Sequence, residues 1–97
     1  MKKYLKGWKK NSCWDNSNEI EKLYFKRSLN QVEELTCHTQ AASILKSQSK
    51  SNETLLDIGC GTGYFYHALR NQNINLKYHG LDPSVKLIGI GKKIIFW

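Results

Sequence analysis

Asp57, Gly59, Gly61 and Gly63 stand at two-residue intervals, and Asp82 follows 19 positions after the last of them. Glycines alternating through a short turn let the backbone adopt conformations closed to other residues and let a ligand approach it closely. A carboxylate two residues before the first glycine repels a pyrophosphate, because like charges at ~4 Å cost about 1–4 kcal/mol between water and an effective dielectric of 20. The same carboxylate welcomes a cation. The dinucleotide fingerprint needs G-x-G-x-x-G, whereas the spacing here is G-x-G-x-G, with Tyr64 where the last glycine would fall. The lysine of a Walker A loop is also missing. Asp82 suits ribose hydroxyls, which an acid at the tip of a second strand accepts roughly 20 residues after the glycine loop.

The elements that must hold these residues are legible around them. Leu55, Leu56 and Ile58 read as a short buried strand, and Tyr64 to Asn71 as a helix whose first N–H groups favour an anion. Leu76 to Leu81 reads as a second strand ending in Asp82, with Pro83 and Ser84 behind it. Ser84 to Lys93 has the pattern of a further helix, although Gly89 and Gly91 each cost about 1 kcal/mol in a helix interior. Upstream, Asn18 with Glu21 and Asn30 with Glu33 have capping-box spacing, with Asn in place of Ser or Thr. Ile20, Leu23, Tyr24 and Arg27 form one helical stripe, and Val32, Leu35, Ala42 and Leu45 another. Ser47 to Glu53 is a polar linker into the first strand.

Leu55-Leu56-Asp57-Ile58-Gly59-Cys60-Gly61-Thr62-Gly63 closely resembles the first motif of the class I S-adenosylmethionine-dependent methyltransferases, and the strand ending in Asp82 supports the likeness. S-adenosylmethionine carries a sulfonium and an ammonium for Asp57, and a carboxylate for the helix N-terminus. The resemblance implies a cofactor site of Asp57, Gly59, Cys60, Gly61, Gly63, Tyr64, Asp82, Pro83 and Ser84. In it Asp82 binds the ribose, Pro83 and Ser84 lie near the adenine, and Asp57, Gly59 and Gly61 shape the methionine end. It implies an α/β fold: a truncated Rossmann-like methyltransferase fold, with N-terminal helices followed by a βαβ unit and part of the next helix. Residues 1–50 form a helical, basic segment in this reading, and 51–97 an incomplete cofactor-binding domain. The family has a seven-stranded sheet, so the likeness covers its N-terminal third or half.

At 97 residues the chain amounts to one small domain. Two parallel strands leave an edge open and need both faces covered, which predicts a marginal, aggregation-prone chain unless a complementary chain completes the sheet. Ile94 to Trp97 closes the sequence on an apolar run, as a gene fragment, a frameshifted end or one piece of a split enzyme would. Methyl transfer would be a direct displacement, dominated by alignment. The residues name neither the methyl acceptor nor a catalytic group.

Fifteen Lys and Arg face eight Asp and Glu, a net charge of +7, and five of the lysines lie in the first ten residues; removing these five leaves +2. Met1 to Trp14 interleaves those lysines with Tyr4, Trp8 and Trp14. Such a mixture binds nucleic acid through phosphate neutralisation and base stacking, but the favoured reading is a solvated helix whose Leu5 and Trp8 dock on the domain. There is no signal-peptide core and no membrane-length span. Cys13, Cys37 and Cys60 are odd in number and widely spaced, which fits a reduced, cytoplasmic chain. Cys60 reads as a small filler in the turn. His38, His67 and His79 have no ligand spacing, so no metal site is expected, and His67 and His79 read as structural. Three functions compete: a methyltransferase or its N-terminal piece, a non-catalytic cofactor- or partner-binding remnant, and a small basic nucleic-acid-binding protein.

Overall fold

A computed structural model describes residues 18–97. In chain order they form α1 (Asn18–Ser28), α2 (Thr36–Gln48), β1 (Thr54–Ile58), α3 (Phe65–Asn71), β2 (Lys77–Leu81) and α4 (Val85–Ile94). The basic, aromatic stretch from Met1 to Trp14, with the readings attached to it, lies outside the described residues, as does Cys13.

β1 and β2 pair in parallel, with Thr54 opposite Lys77 and Ile58 opposite Leu81, and α3 makes the crossover between them. This is the βαβ unit expected at the start of a Rossmann-like fold. Strand alternation puts Leu55, Asp57, Tyr78 and Gly80 on one face. There Tyr78 packs with Ala42 of α2 and with Ala68 and Leu69 of α3 to form the core. The other face is open: Leu56, Ile58 and Leu81 are 56%, 74% and 51% exposed. The expectation of a strand buried on both sides therefore holds for one face only, because the described helices supply a single covering layer.

Helix ends explain a second departure from the sequence pattern. The spacing of Asn30 and Glu33 predicts a helix start, yet Asn30 closes α1. It sits in the left-handed region (φ 59°), with its N–H on the Arg27 carbonyl at 3.0 Å and the Gln31 N–H on the Lys26 carbonyl at 2.9 Å. Those two bonds are the Schellman pattern. Asn suits both ends of a helix, since its side chain caps N-termini and its backbone tolerates the left-handed region. Consequently α2 begins only at Thr36, behind Leu35, and Val32 and Leu35 precede it instead of extending its stripe. Asn73 (φ 57°) ends α3 in the same manner, with Ile74 N–H on the Leu69 carbonyl at 2.9 Å.

α4 follows the sequence reading. The Ser84 hydroxyl caps it by accepting the Leu87 N–H at 3.2 Å, and an ion pair of 2.8 Å joins Lys86 to Glu21 of α1. Gly91 has a packing reason: a Cβ there would stand 1.8 Å from the Thr62 carbonyl oxygen. Past α4 the backbone reverses at Phe96 (φ 65°), a conformation that costs about 1–3 kcal/mol for a non-glycine residue. The reversal returns Trp97 to the core, where its ring meets Tyr78 edge-on at 5.2 Å.

Candidate functional site

The segment from Gly59 to Gly63 is a tight turn at the C-terminal end of β1, with φ of 74°, 61° and 86° at its three glycines. Its front is tied to β2. Gly59 and Cys60 both donate to the Leu81 carbonyl, at 2.6 and 3.1 Å. One oxygen of Asp82 accepts the Gly61 N–H at 2.8 Å, and the other accepts the Ser84 N–H at 2.8 Å.

Its back is tied to α1 and to the returning tryptophan. Thr62 is fully buried, its hydroxyl 2.6 Å from that of Ser28, and its carbonyl accepts the Trp97 indole N–H at 2.7 Å. Gly63 lies so close to this indole that a Cβ would stand 2.1 Å from its nitrogen. The turn is thus clamped from both sides by the chain's own groups.

A cleft of about 220 Å³ opens beside it, lined by His38, Ala41, Asp57, Gly59, Cys60, Tyr64 and Phe65. This is smaller than the ~300–1,000 Å³ of whole-ligand pockets, so it suits one end of a ligand. Asp57 is held by the Tyr78 hydroxyl, which donates to its carboxylate at 2.6 Å. Burial, and then Asp57 itself, push the Tyr78 phenol strongly upward, so that hydroxyl keeps its proton. Burial likewise raises the Cys60 thiol to about 11, with Asp57 and Asp82 adding to it. Cys60 is therefore a neutral filler here and no nucleophile.

The nine residues read from sequence divide into two groups. Asp57, Gly59, Cys60 and Tyr64 line the cleft together. Gly61 and Gly63 face the interior, against Tyr24 and Trp97. Ser84 is fully buried as the α4 cap, and Asp82, followed by Pro83, holds the turn from the β2 side. Each carboxylate oxygen has a second lone pair, so Asp82 retains capacity for ribose hydroxyls.

Three lining groups lay beyond the sequence reading: His38 and Ala41 from α2, and Phe65 from α3. Only the packing of α2 on α3 brings them there, and no local pattern announces it. Behind Tyr64 stands a further group, the Arg27 guanidinium, 5.1 Å from that ring and 5.6 Å from Tyr24. Its Nη1 donates to the Tyr64 hydroxyl at 3.0 Å. His67 is anchored to the Ser28 carbonyl at 2.8 Å, while His79 sits on the open sheet face. Among the described residues no cluster of His, Cys, Asp and Glu could hold a metal ion, and no helix is long and apolar enough to cross a membrane.

Comparison with known proteins fits this geometry. Residues 56–95, which span the turn, Asp82 and α4, match the family described as "Methyltransferase domain". A stretch of 43 residues, 44% of the chain, is 44% identical to a tRNA (guanine-N(7)-)-methyltransferase of Mycoplasma capricolum subsp. capricolum. The match spans only 20% of that relative's length. No solved structure matches the chain.

Proposed function

We propose, from the match of residues 56–95 to the family described as "Methyltransferase domain", that this chain binds S-adenosylmethionine as the N-terminal part of a methyltransferase. The observation that carries the reading is the turn: a family-matched G-x-G-x-G segment pinned by Asp82, with Asp57 beside it in a cleft. The donor set fits the cofactor's charges. Asp57 offers a carboxylate to its cationic groups, the rings of Tyr64 and Phe65 offer faces that attract a cation, and Asp82 has lone pairs for a ribose.

When bound, the cofactor supplies an activated methyl group. The chain's task is to fix its position, since alignment alone is worth ~7–11 kcal/mol in reactions of this kind. The pre-clamped turn serves that task, because a loop held by Asp82, Ser28 and Trp97 loses little freedom on binding. The relative's acceptor class, a guanine in tRNA, suggests an RNA base as methyl acceptor. A ring nitrogen with an in-plane lone pair carries no proton to remove, so such an acceptor needs no general base. We further propose that additional polypeptide completes the sheet along the free edge of β1 and over Leu56, Ile58 and Leu81.

Calorimetric titration with S-adenosylhomocysteine tests the reading. Binding that falls about tenfold or more in Asp82→Asn, the scale of one charge-assisted hydrogen bond, would support it. A folded chain that does not bind would end it and leave the remnant reading.

A further inference from the structure

His38 enters the cleft from α2, and its position there is well defined. Its ring lies 5.1 Å from the ring of Tyr64 and meets Phe65 edge-on at 5.0 Å. Its nitrogens make no hydrogen bond to the described residues, although the neighbouring His67 is bonded to a backbone carbonyl. A histidine held by these ring contacts, with both nitrogens left over, is arranged to meet a ligand.

The charges around it indicate which ligand. From β1 it faces the Asp57 carboxylate, from α1 the Arg27 guanidinium and from the segment before α2 the carboxylate of Glu34. Tyr64, Phe65 and the neutral Cys60 thiol complete the surroundings. Burial, the largest influence, lowers the affinity of His38 for a proton; Asp57 and Glu34 oppose it and Arg27 supports it, and the net direction is downward. The ring is therefore neutral at pH 7, with a lone pair to offer. A carboxylate, a neutral imidazole and two aromatic rings around one small cleft make a receptor for an organic cation.

We propose that the His38 imidazole contacts the cationic end of the bound ligand in the Asp57 cleft, and that the cleft takes the cation only while this ring is uncharged. The inference rests on the cofactor reading above and adds a residue and a condition to it. Protonating His38 would set a like charge against the ligand, and reciprocally a bound cation would hold His38 neutral to lower pH.

The test is titration of the chain with S-adenosylmethionine at pH 7.5 and pH 5.5, beside His38→Gln. The ligand's own amino group stays largely protonated over this range, its ordinary value being about 7.7–8.0. We expect the unaltered chain to lose affinity on acidification, approaching about fivefold as His38 becomes fully charged, the effect of two like charges near 4 Å in a water-like dielectric. His38→Gln should bind alike at both pH values. Equal losses in the two chains would overturn the role of His38 and leave the cofactor reading standing. No binding at either pH by a folded chain would overturn both. Proton magnetic resonance of the His38 ring in the unaltered chain gives a second readout should the variant fail to fold. Saturating ligand must move its titration to lower pH, and an unmoved titration would sink the proposal.

Discussion

The Asp82 carboxylate accepts the backbone N–H of Gly61 at 2.8 Å across 21 positions of sequence. The acid expected to meet a ribose is thereby also the acid that sets the shape of the glycine turn. Asp82→Ala should remove partners from both the Gly61 and Ser84 amides and lower stability by about 1.5–3 kcal/mol, the scale for hydrogen bonds to a charged group. Urea unfolding measures it. An unchanged midpoint would mean that the turn holds its shape without this acid.

Gly91→Ala should be among the most damaging single-methyl additions in the chain. The new Cβ would stand 1.8 Å from the Thr62 carbonyl oxygen, a backbone atom of the clamped turn that cannot swing aside. Overpacking commonly costs about 1–3 kcal/mol, and this contact lies at the upper end. Gly89→Ala, with nothing within 4 Å of the added carbon, should instead gain up to about 1 kcal/mol from helix propensity. Thermal unfolding of the pair decides between packing and propensity as the reason for Gly91.

Cys60 gives a pH dependence of known sign. Its folded value, about 11, lies above the ordinary thiol value of 9.0, so the folded chain holds the thiol proton more tightly than the unfolded chain. The resulting stability is complete below pH 9 and is lost as pH rises toward 11. At pH 10.5 the loss should approach about 2 kcal/mol. Tyr24 and Tyr78 are also shifted upward, so the contribution is read as a difference. Cys60→Ala should lose less stability than the unaltered chain between pH 8 and pH 10.5, and parallel curves would refute the assignment.

Much of the second half was legible because its signals are local. A short apolar run, alternating glycines and an acid at a strand tip specify a βαβ unit with little help from distant residues. The misplaced start of α2 came from Asn30, a residue whose chemistry fits either end of a helix; which end it serves depends on backbone sign, and sequence does not print that. His38 was invisible for a different reason. Its place in the cleft comes from α2 packing on α3, 27 or so positions downstream, and the spacing of histidines carries no trace of it. The buried pairing of Ser28 with Thr62, across 34 positions, escaped in the same way.

Gly63 is kept free of a side chain by Trp97, whose indole nitrogen occupies the space a Cβ would need. This glycine of the motif is therefore required whether or not a ligand is bound. In a lineage that stopped binding any ligand, drift would be free to erode Asp57 and Gly59 at the cleft, while Gly63 would persist for as long as a tryptophan stood behind it. Whether a descendant could hold a ligand at all is thus better judged at the cleft than from the glycine signature.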